Sequence, residues 1–243
     1  MLSDRIIKKT VLFKYLFLLS TVFVLLSFQS DIRRISLLME TKILSQGKYV
    51  SSAAEIFYKF REGEMIVRYQ KPFEYIVISN AKGEAKVYNP KTNEVSVQQG
   101  FMYETEKSLF YYFFSNRTTD LGLKDLGFML DNTRFEDGMI ITTWKPGLSI
   151  GEQVSKVELV HEKYLPIYLG YYDKKGQLTK KIFYYDYFSS GSIRLPTKVT
   201  EFSYLPDGDS VISRTVYGNF KFNENAQSSY FDFKIPANAK IVD

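Results

Sequence analysis

Residues 57–80 have the sequence FYKFREGEMIVRYQKPFEYIVISN, and this stretch decides the fold. Within it, apolar and polar side chains alternate, so Met65, Val67 and Tyr69 share one face of an extended chain. Pro72 ends this segment, and a second apolar run follows at once. The pattern predicts an antiparallel hairpin with one buried face.

The same alternation continues along the chain, with turn sequences such as Asp173-Lys174-Lys175-Gly176 between the segments. Residues 31–47 fit a short amphipathic helix and an extended segment equally well. The pattern predicts a mostly β (α+β) protein, built as a large curved antiparallel sheet or open half-barrel with a helical lid. Further strands are predicted at Glu84–Tyr88, Glu94–Val97, Met139–Trp144, Gln153–Val160, Ile167–Tyr172, Leu178–Tyr187, Thr197–Tyr204, Val211–Phe222 and Tyr230–Ile235.

Two segments in the middle of the chain predict helices. Residues 103–115, YETEKSLFYYFFS, begin with acidic side chains, as helices often do, and then become almost wholly aromatic. Residues 120–130 place Leu123, Leu126 and Leu130 on one helical face, and Asn132 follows as a stop. The two helices are expected to form an insertion on one side of the sheet, and the aromatic helix, Leu109 to Phe114, is expected to supply the lid.

Residues 1–30 differ from the rest of the chain. Four basic residues flank or precede an apolar run from Tyr15 to Phe28, which is typical of a signal peptide, and an uncleaved inner-membrane anchor is the alternative. Residues 31–243 are expected to form a single domain. Residues 1–30 hold four of the 32 basic and one of the 27 acidic residues, so the remainder has a net charge of only +2. Interspersed charges of both signs argue against nucleic-acid binding.

The composition excludes much enzyme chemistry. The chain has no Cys and one His, which removes disulfides, thiolate catalysis and multi-histidine metal sites. Gly147-Leu148-Ser149-Ile150-Gly151 matches the nucleophile-elbow pattern, but the elbow needs a helix after the Ser, and a strand is predicted there instead. The only His, His161, follows twelve residues later with only Glu152 and Glu158 between, so the segment is interpreted as a turn. His161 is expected at the surface. We therefore expect no enzyme activity, no metal and no cofactor.

Apolar side chains remain as the candidate functional feature. The faces of the predicted strands are more apolar than one flat, covered sheet requires, which suggests a cavity for an acyl chain under the lid. The candidate lipid-binding residues are Met65, Val67, Tyr69, Tyr75 and Val77 from the strands, with Leu109 and Phe113 from the aromatic helix.

Several of these segments resemble the periplasmic lipoprotein carriers of the LolA family and their relative LolB. Residues 57–80 are similar to the family's first hairpin, and Val87-Tyr88-Asn89-Pro90 to the turn after it. Leu165-Pro166 with Asp173–Gly176 is similar to a later hairpin, and residues 231–243, FDFKIPANAKIVD, to the family's closing segment. The likeness covers most of the chain after residue 30.

The resemblance implies an open half-barrel that carries lipoprotein acyl chains, or another lipid, across the periplasm as a monomer without covalent chemistry. It also implies an inner-membrane release complex and an outer-membrane acceptor as partners. The family's latch arginine, which holds the lid shut, corresponds to Arg61, although Glu62 stands where the family has Pro. The alternative is a membrane-tethered β-rich interaction or assembly protein of the cell envelope.

Overall fold

Residues 34–59 form a long hairpin, which decides between the two structures that the sequence allowed for residues 31–47. Arg34–Ser45 and Lys48–Lys59 pair along their whole length. Gln46 and Gly47 connect them with φ of 49° and 70°, as expected for the two-residue turn that matches strand twist. The extended alternative is therefore correct, since a paired strand buries Ile35 and Leu37 on one side.

The computed structural model describes residues 32–100, 103–147, 154–191 and 193–242. The predicted signal segment and Ser149 lie outside these residues. The described strands are β1 (Arg34–Ser45), β2 (Lys48–Lys59), β3 (Glu64–Lys71), β4 (Tyr75–Ser79), β5 (Glu84–Asn89), β6 (Glu94–Gln99), β7 (Phe128–Glu136), β8 (Met139–Pro146), β9 (Lys156–Glu162), β10 (Leu165–Tyr172), β11 (Leu178–Ser190), β12 (Ile193–Tyr204), β13 (Ser210–Phe222) and β14 (Lys240–Ile241).

All these strands belong to one unclosed sheet. Their order is β14-β6-β5-β4-β3-β2-β1-β13-β12-β11-β10-β9-β8-β7, and every neighbouring pair except β14–β6 is antiparallel. The sheet is thus two consecutive meanders, β1–β6 and β7–β13, joined side by side where β1 pairs with β13. This confirms the predicted mostly β, open antiparallel architecture.

The two faces of the β1–β6 half are covered by different parts of the chain. The C-terminal face carries Phe57, Ile66 and Ile76, which pack with Tyr88 and Val95 against the C-terminal segment, residues 223–241. Phe231 of this segment is 1% exposed. The predicted strand at Tyr230–Ile235 is wrong, because Ser229–Asp232 forms a 3₁₀ helix that inserts its aromatic rings into this cluster.

The opposite face, named the helix face here, includes Ala54, Val67 and Val77 by strand register. The helix that gives it its name is α1 (Leu109–Phe114), preceded by a 3₁₀ turn at Thr105–Lys107. The Ser108 hydroxyl accepts a hydrogen bond from the Tyr111 amide at 3.2 Å and so caps α1. The predicted aromatic helix is confirmed, although it is shorter than expected.

The second predicted helix, at Asp120–Leu130, is wrong. Leu121, Gly122 and Gly127 have positive φ, and the Asp120 carboxylate accepts hydrogen bonds from the amides of Gly122 and Lys124, so the backbone turns repeatedly. β7 then begins at Phe128. The lid therefore has one short helix, followed by an irregular loop at residues 115–127.

Candidate functional site

The five candidate strand residues lie together on the helix face. Val67 is opposite Val77 and Tyr69 opposite Tyr75 in the β3–β4 ladder, and Met65 lies two residues before Val67. The Tyr69 and Tyr75 rings stack with their centroids 4.3 Å apart. Val67 is buried, whereas the other four side chains are only half-buried. Apolar area thus remains accessible in the middle of a sheet.

Helix α1 covers part of this face through its aromatic side chains. Phe113 is 3% exposed, and its ring centroid lies 6.3 Å from that of Tyr184 and 6.0 Å from that of Tyr187 on β11. Phe110 meets the ring of Tyr217 on β13 edge to face at 5.2 Å. Leu109 is half-buried. The structure thus places Phe113 over β11, away from the β3–β4 residues, with Tyr217 on the strands between them.

The start of the lid is fixed to two strand turns. The Thr105 hydroxyl, whose side chain is 1% exposed, donates a 2.7 Å hydrogen bond to the Gly63 carbonyl in the β2–β3 turn. The Thr105 amide donates to the Asn80 carbonyl in the β4–β5 turn at 3.3 Å. Sequence reasoning missed Thr105, because nothing in the local pattern marks a threonine that bonds to a turn 42 residues earlier.

Arg61 lies in the same β2–β3 turn, two residues before Gly63, and its side chain is exposed. Its latch role remains a prediction. The β2–β3 turn already holds the lid, because its Gly63 carbonyl accepts the hydrogen bond from the Thr105 hydroxyl. Any contribution of Arg61 would therefore add to an existing attachment.

His161 helps to attach the loop that follows α1. Its Nε2 lies 2.9 Å from the Thr118 carbonyl oxygen, and the side chain is 6% exposed, so the expected surface position is wrong. Burial lowers the pKa of His161, because the charged imidazolium loses its hydration. The signal was present in the sequence: His161 continues the period of two set by the buried Val157 and Leu159.

The helix face changes from apolar to polar along its length. Toward the hairpin tips of β10–β11 and β12–β13, Lys180 Nζ lies 2.8 Å from Glu201 Oε1. On β1 and β13, the hydroxyls of Thr41 and Thr215 lie 3.0 Å apart. Burial, and to a lesser degree the negative charge of Glu201, raise the pKa of the Tyr171 and Tyr184 hydroxyls. The face is thus amphipathic, with its apolar part nearer α1.

Other features of the described residues offer little chemistry. Within the described ranges, no group of three or more His, Asp or Glu side chains could hold a metal ion. None of the helices in the described part of the chain has the length and apolar composition needed to cross a membrane. A cavity of about 370 Å³ lies at the tips of the β7–β8 and β9–β10 hairpins, beside the exposed rings of Phe135 and Tyr164.

The arrangement defines a class of protein: an open antiparallel sheet with one partly apolar, partly covered face. No family model and no curated protein matches the sequence. Solved structures do match its fold. A LolA superfamily protein from Nitrosomonas europaea superposes with a TM-score of 0.55 at 12% identity, over 85% of this chain and 92% of its own.

Two further structures match to a similar degree. An outer membrane lipoprotein-sorting protein domain from Vibrio parahaemolyticus gives a TM-score of 0.54 at 13% identity, over 82% of this chain and 89% of its own. A DUF1329 family protein from Desulfovibrio piger gives 0.54 at 17% identity, over 83% and 90%. The chain therefore has a LolA-like fold, as the sequence resemblance indicated.

Proposed function

We propose that this protein is a carrier that binds the acyl chains of lipoproteins, or of a related lipid, on the apolar part of its helix face. The observation that carries the proposal is the set of half-buried apolar side chains around Val67 and Val77, which continues toward the aromatic contacts of α1. Apolar burial is non-directional and suits a carrier that accepts varied chains, at about 0.8 kcal/mol per buried CH₂.

The solved structure of a lipoprotein-sorting domain with the same fold supports this choice of cargo. We place the carrier in the periplasm, as a monomer, with an inner-membrane release complex and an outer-membrane acceptor as partners. Transfer needs no covalent chemistry and no cofactor in this proposal. Arg61 would then reinforce the attachment of the lid near Gly63.

Uptake of a fluorescent acyl probe tests the binding surface. A charge at Val67 or Val77 would meet the acyl chain in an apolar environment, so Val67→Glu and Val77→Glu are expected to abolish the fluorescence increase. Val97→Glu is the matched control, because Val97 is 50% exposed and lies on the C-terminal face. Circular dichroism identifies any variant that fails to fold. Equal uptake by the wild type and a folded Val77→Glu variant would refute the proposal.

A second candidate is a membrane-tethered interaction protein of the envelope. The exposed aromatic rings of Phe135 and Tyr164, at 76% and 83%, favour it, because large exposed aromatic side chains often mark protein interfaces. This candidate predicts a retained N-terminal anchor and no acyl uptake. Mass spectrometry of the N-terminus of the native protein, together with the probe assay, distinguishes it from the carrier.

A further inference from the structure

The strand β7 (Phe128–Glu136) ends the sheet, and no other strand in the described part of the chain pairs with its outer edge. The opposite end of the sheet differs, because β14 of the same chain adds to β6. Seven of the nine residues of β7 are exposed. An uncovered edge of this length presents backbone N–H and C=O groups that can pair with another extended strand.

The helix-face side of β7 carries apolar side chains near both of its ends. Strand register extends the helix face through β10, β9 and β8 to β7, where Leu130, Thr133 and Phe135 lie on it. Leu130 and Phe135 are both exposed. Phe135 also lines the cavity of about 370 Å³ together with Tyr164. Apolar side chains grouped along a free edge and beside a cavity indicate a contact surface.

The charged side chains of β7 leave this edge open. Charges on an edge strand often prevent pairing with another chain. Here Arg134 Nε lies 2.8 Å from Glu136 Oε1, and its Nη1 lies 3.6 Å from Glu158 Oε1 on β9. Lys145 Nζ on β8 lies 2.8 Å from Asp131 Oδ1. These ion pairs hold both charges against the chain's own sheet, on the side opposite the helix face.

Two copies of β7 fit each other in an antiparallel register about a two-fold axis. Residues opposite each other must face the same side of the sheet, which holds when Thr133 lies on the axis. Asp131 is an extra residue in the ladder with β8, since the register shifts between Leu130 and Asn132. When this bulge is counted, Leu130 of one protomer lies opposite Phe135 of its partner. The symmetry makes this apolar contact twice.

We propose that two copies of this chain associate through β7, so that the two sheets become continuous across the two-fold axis. The inference goes beyond the proposed function, because acyl binding does not require it. A stable interface buries about 1,600 Å², and a single pair of nine-residue strands buries less, so the dimer is weak and dissociates on dilution. Dilute protein is then the monomeric carrier proposed above, and the dimer forms where the protein is concentrated.

Sedimentation equilibrium at several concentrations tests the pairing in the protein expressed from its full chain. The wild type is expected to pass from monomer to dimer as its concentration rises. Thr133→Lys and Thr133→Glu each place two like charges at the axis and should weaken the dimer about tenfold or more. An equimolar mixture of the two variants should restore it, because opposite charges then meet. Thr92→Lys is the control, since Thr92 is exposed in the β5–β6 turn.

Engineered cysteines test the register, because the chain has no Cys of its own. Under oxidation, Thr133→Cys is expected to form a disulfide-linked dimer with itself. A mixture of Leu130→Cys and Phe135→Cys should crosslink more than either variant alone, because these positions are opposite each other only between copies. Val97→Cys on β6 is the control for random crosslinking, since Val97 is exposed at the other end of the sheet.

The pairing is overturned if the wild type stays monomeric at every concentration, even if this edge then binds a foreign peptide. It is also overturned if Thr133→Lys dimerises as well as the wild type, or if the mixture of opposite charges does not restore the dimer. If circular dichroism shows that the charged variants do not fold, the cysteine variants decide. Acyl uptake should be unchanged in Thr133→Lys, so failure of the dimer and failure of the carrier are distinguished.

Discussion

The hydrogen bond between Thr105 and Gly63 gives the sharpest test of how the lid is held. Thr105→Val keeps the shape of the side chain and replaces the hydroxyl by a methyl group, so the buried Gly63 carbonyl loses the donor that lies at 2.7 Å. Leaving a buried acceptor unsatisfied costs about 1–3 kcal/mol. For a domain of this size, a loss of 1 kcal/mol lowers Tm by roughly 2–4 °C.

Urea unfolding and native-state hydrogen exchange would measure this cost. We expect the free energy of unfolding of Thr105→Val to fall by about 1–3 kcal/mol. The amides of Tyr112 and Ser115 are bonded within α1. In Thr105→Val, their exchange should speed up relative to the wild type by more than the exchange of the β1 amides does. Thr119→Val is the control, because Thr119 is exposed in the loop after α1. If both variants unfold at the wild-type urea concentration, the lid is not held at Gly63 and the reasoning is wrong.

Three further perturbations address the rest of the fold. Gly63→Ala should destabilise the protein by roughly 1 kcal/mol or more, measured by thermal unfolding, because Gly63 has φ of 58° and an added Cβ would lie 2.8 Å from the Ala81 Cβ. Arg68→Ala should make the C-terminal segment more sensitive to protease, since the guanidinium lies 4.8 Å from the centre of the Tyr230 ring, and a Lys91→Ala control should not. The pKa of His161 is lowered in the folded state, so the unfolded chain binds more protons below about pH 6.5; stability should fall as pH decreases through that value, and His161→Gln should flatten this part of the pH profile.

Local patterns in the sequence were sufficient for most of the strands and for bringing the five candidate strand residues together, although not for the position of Phe113 over β11. Alternation puts Met65, Val67 and Tyr69 on one face, and a short turn after them brings Tyr75 and Val77 to the same face. These inferences succeed because hairpin register depends on neighbouring residues. The role of each residue in lipid binding is still a prediction, since geometry alone shows only that they lie together.

The remaining features depend on contacts between distant parts of the chain. The leucines at 123, 126 and 130 have helical spacing, but positive φ at Gly122 and Gly127 suits a turning backbone, and only Leu123 of the three is buried. Alternation in residues 230–235 predicted a strand, whereas Phe231 fills a core formed by β2–β6. Which face each segment covers is set by pairings such as β1–β13, which no local pattern specifies.

That pairing between β1 and β13 has a consequence for how the molecule assembles. Each meander is continuous in sequence, so its ladders can form from near neighbours, whereas the β1–β13 ladder must close a loop of about 175 residues and is expected to form late. Tyr69 belongs to one meander and Tyr217 to the other, and strand register places both on the helix face, on either side of this ladder. In the carrier proposed above, a ligand bound on the helix face would therefore contact both meanders and stabilise their pairing. Its loss would weaken the β1–β13 ladder first.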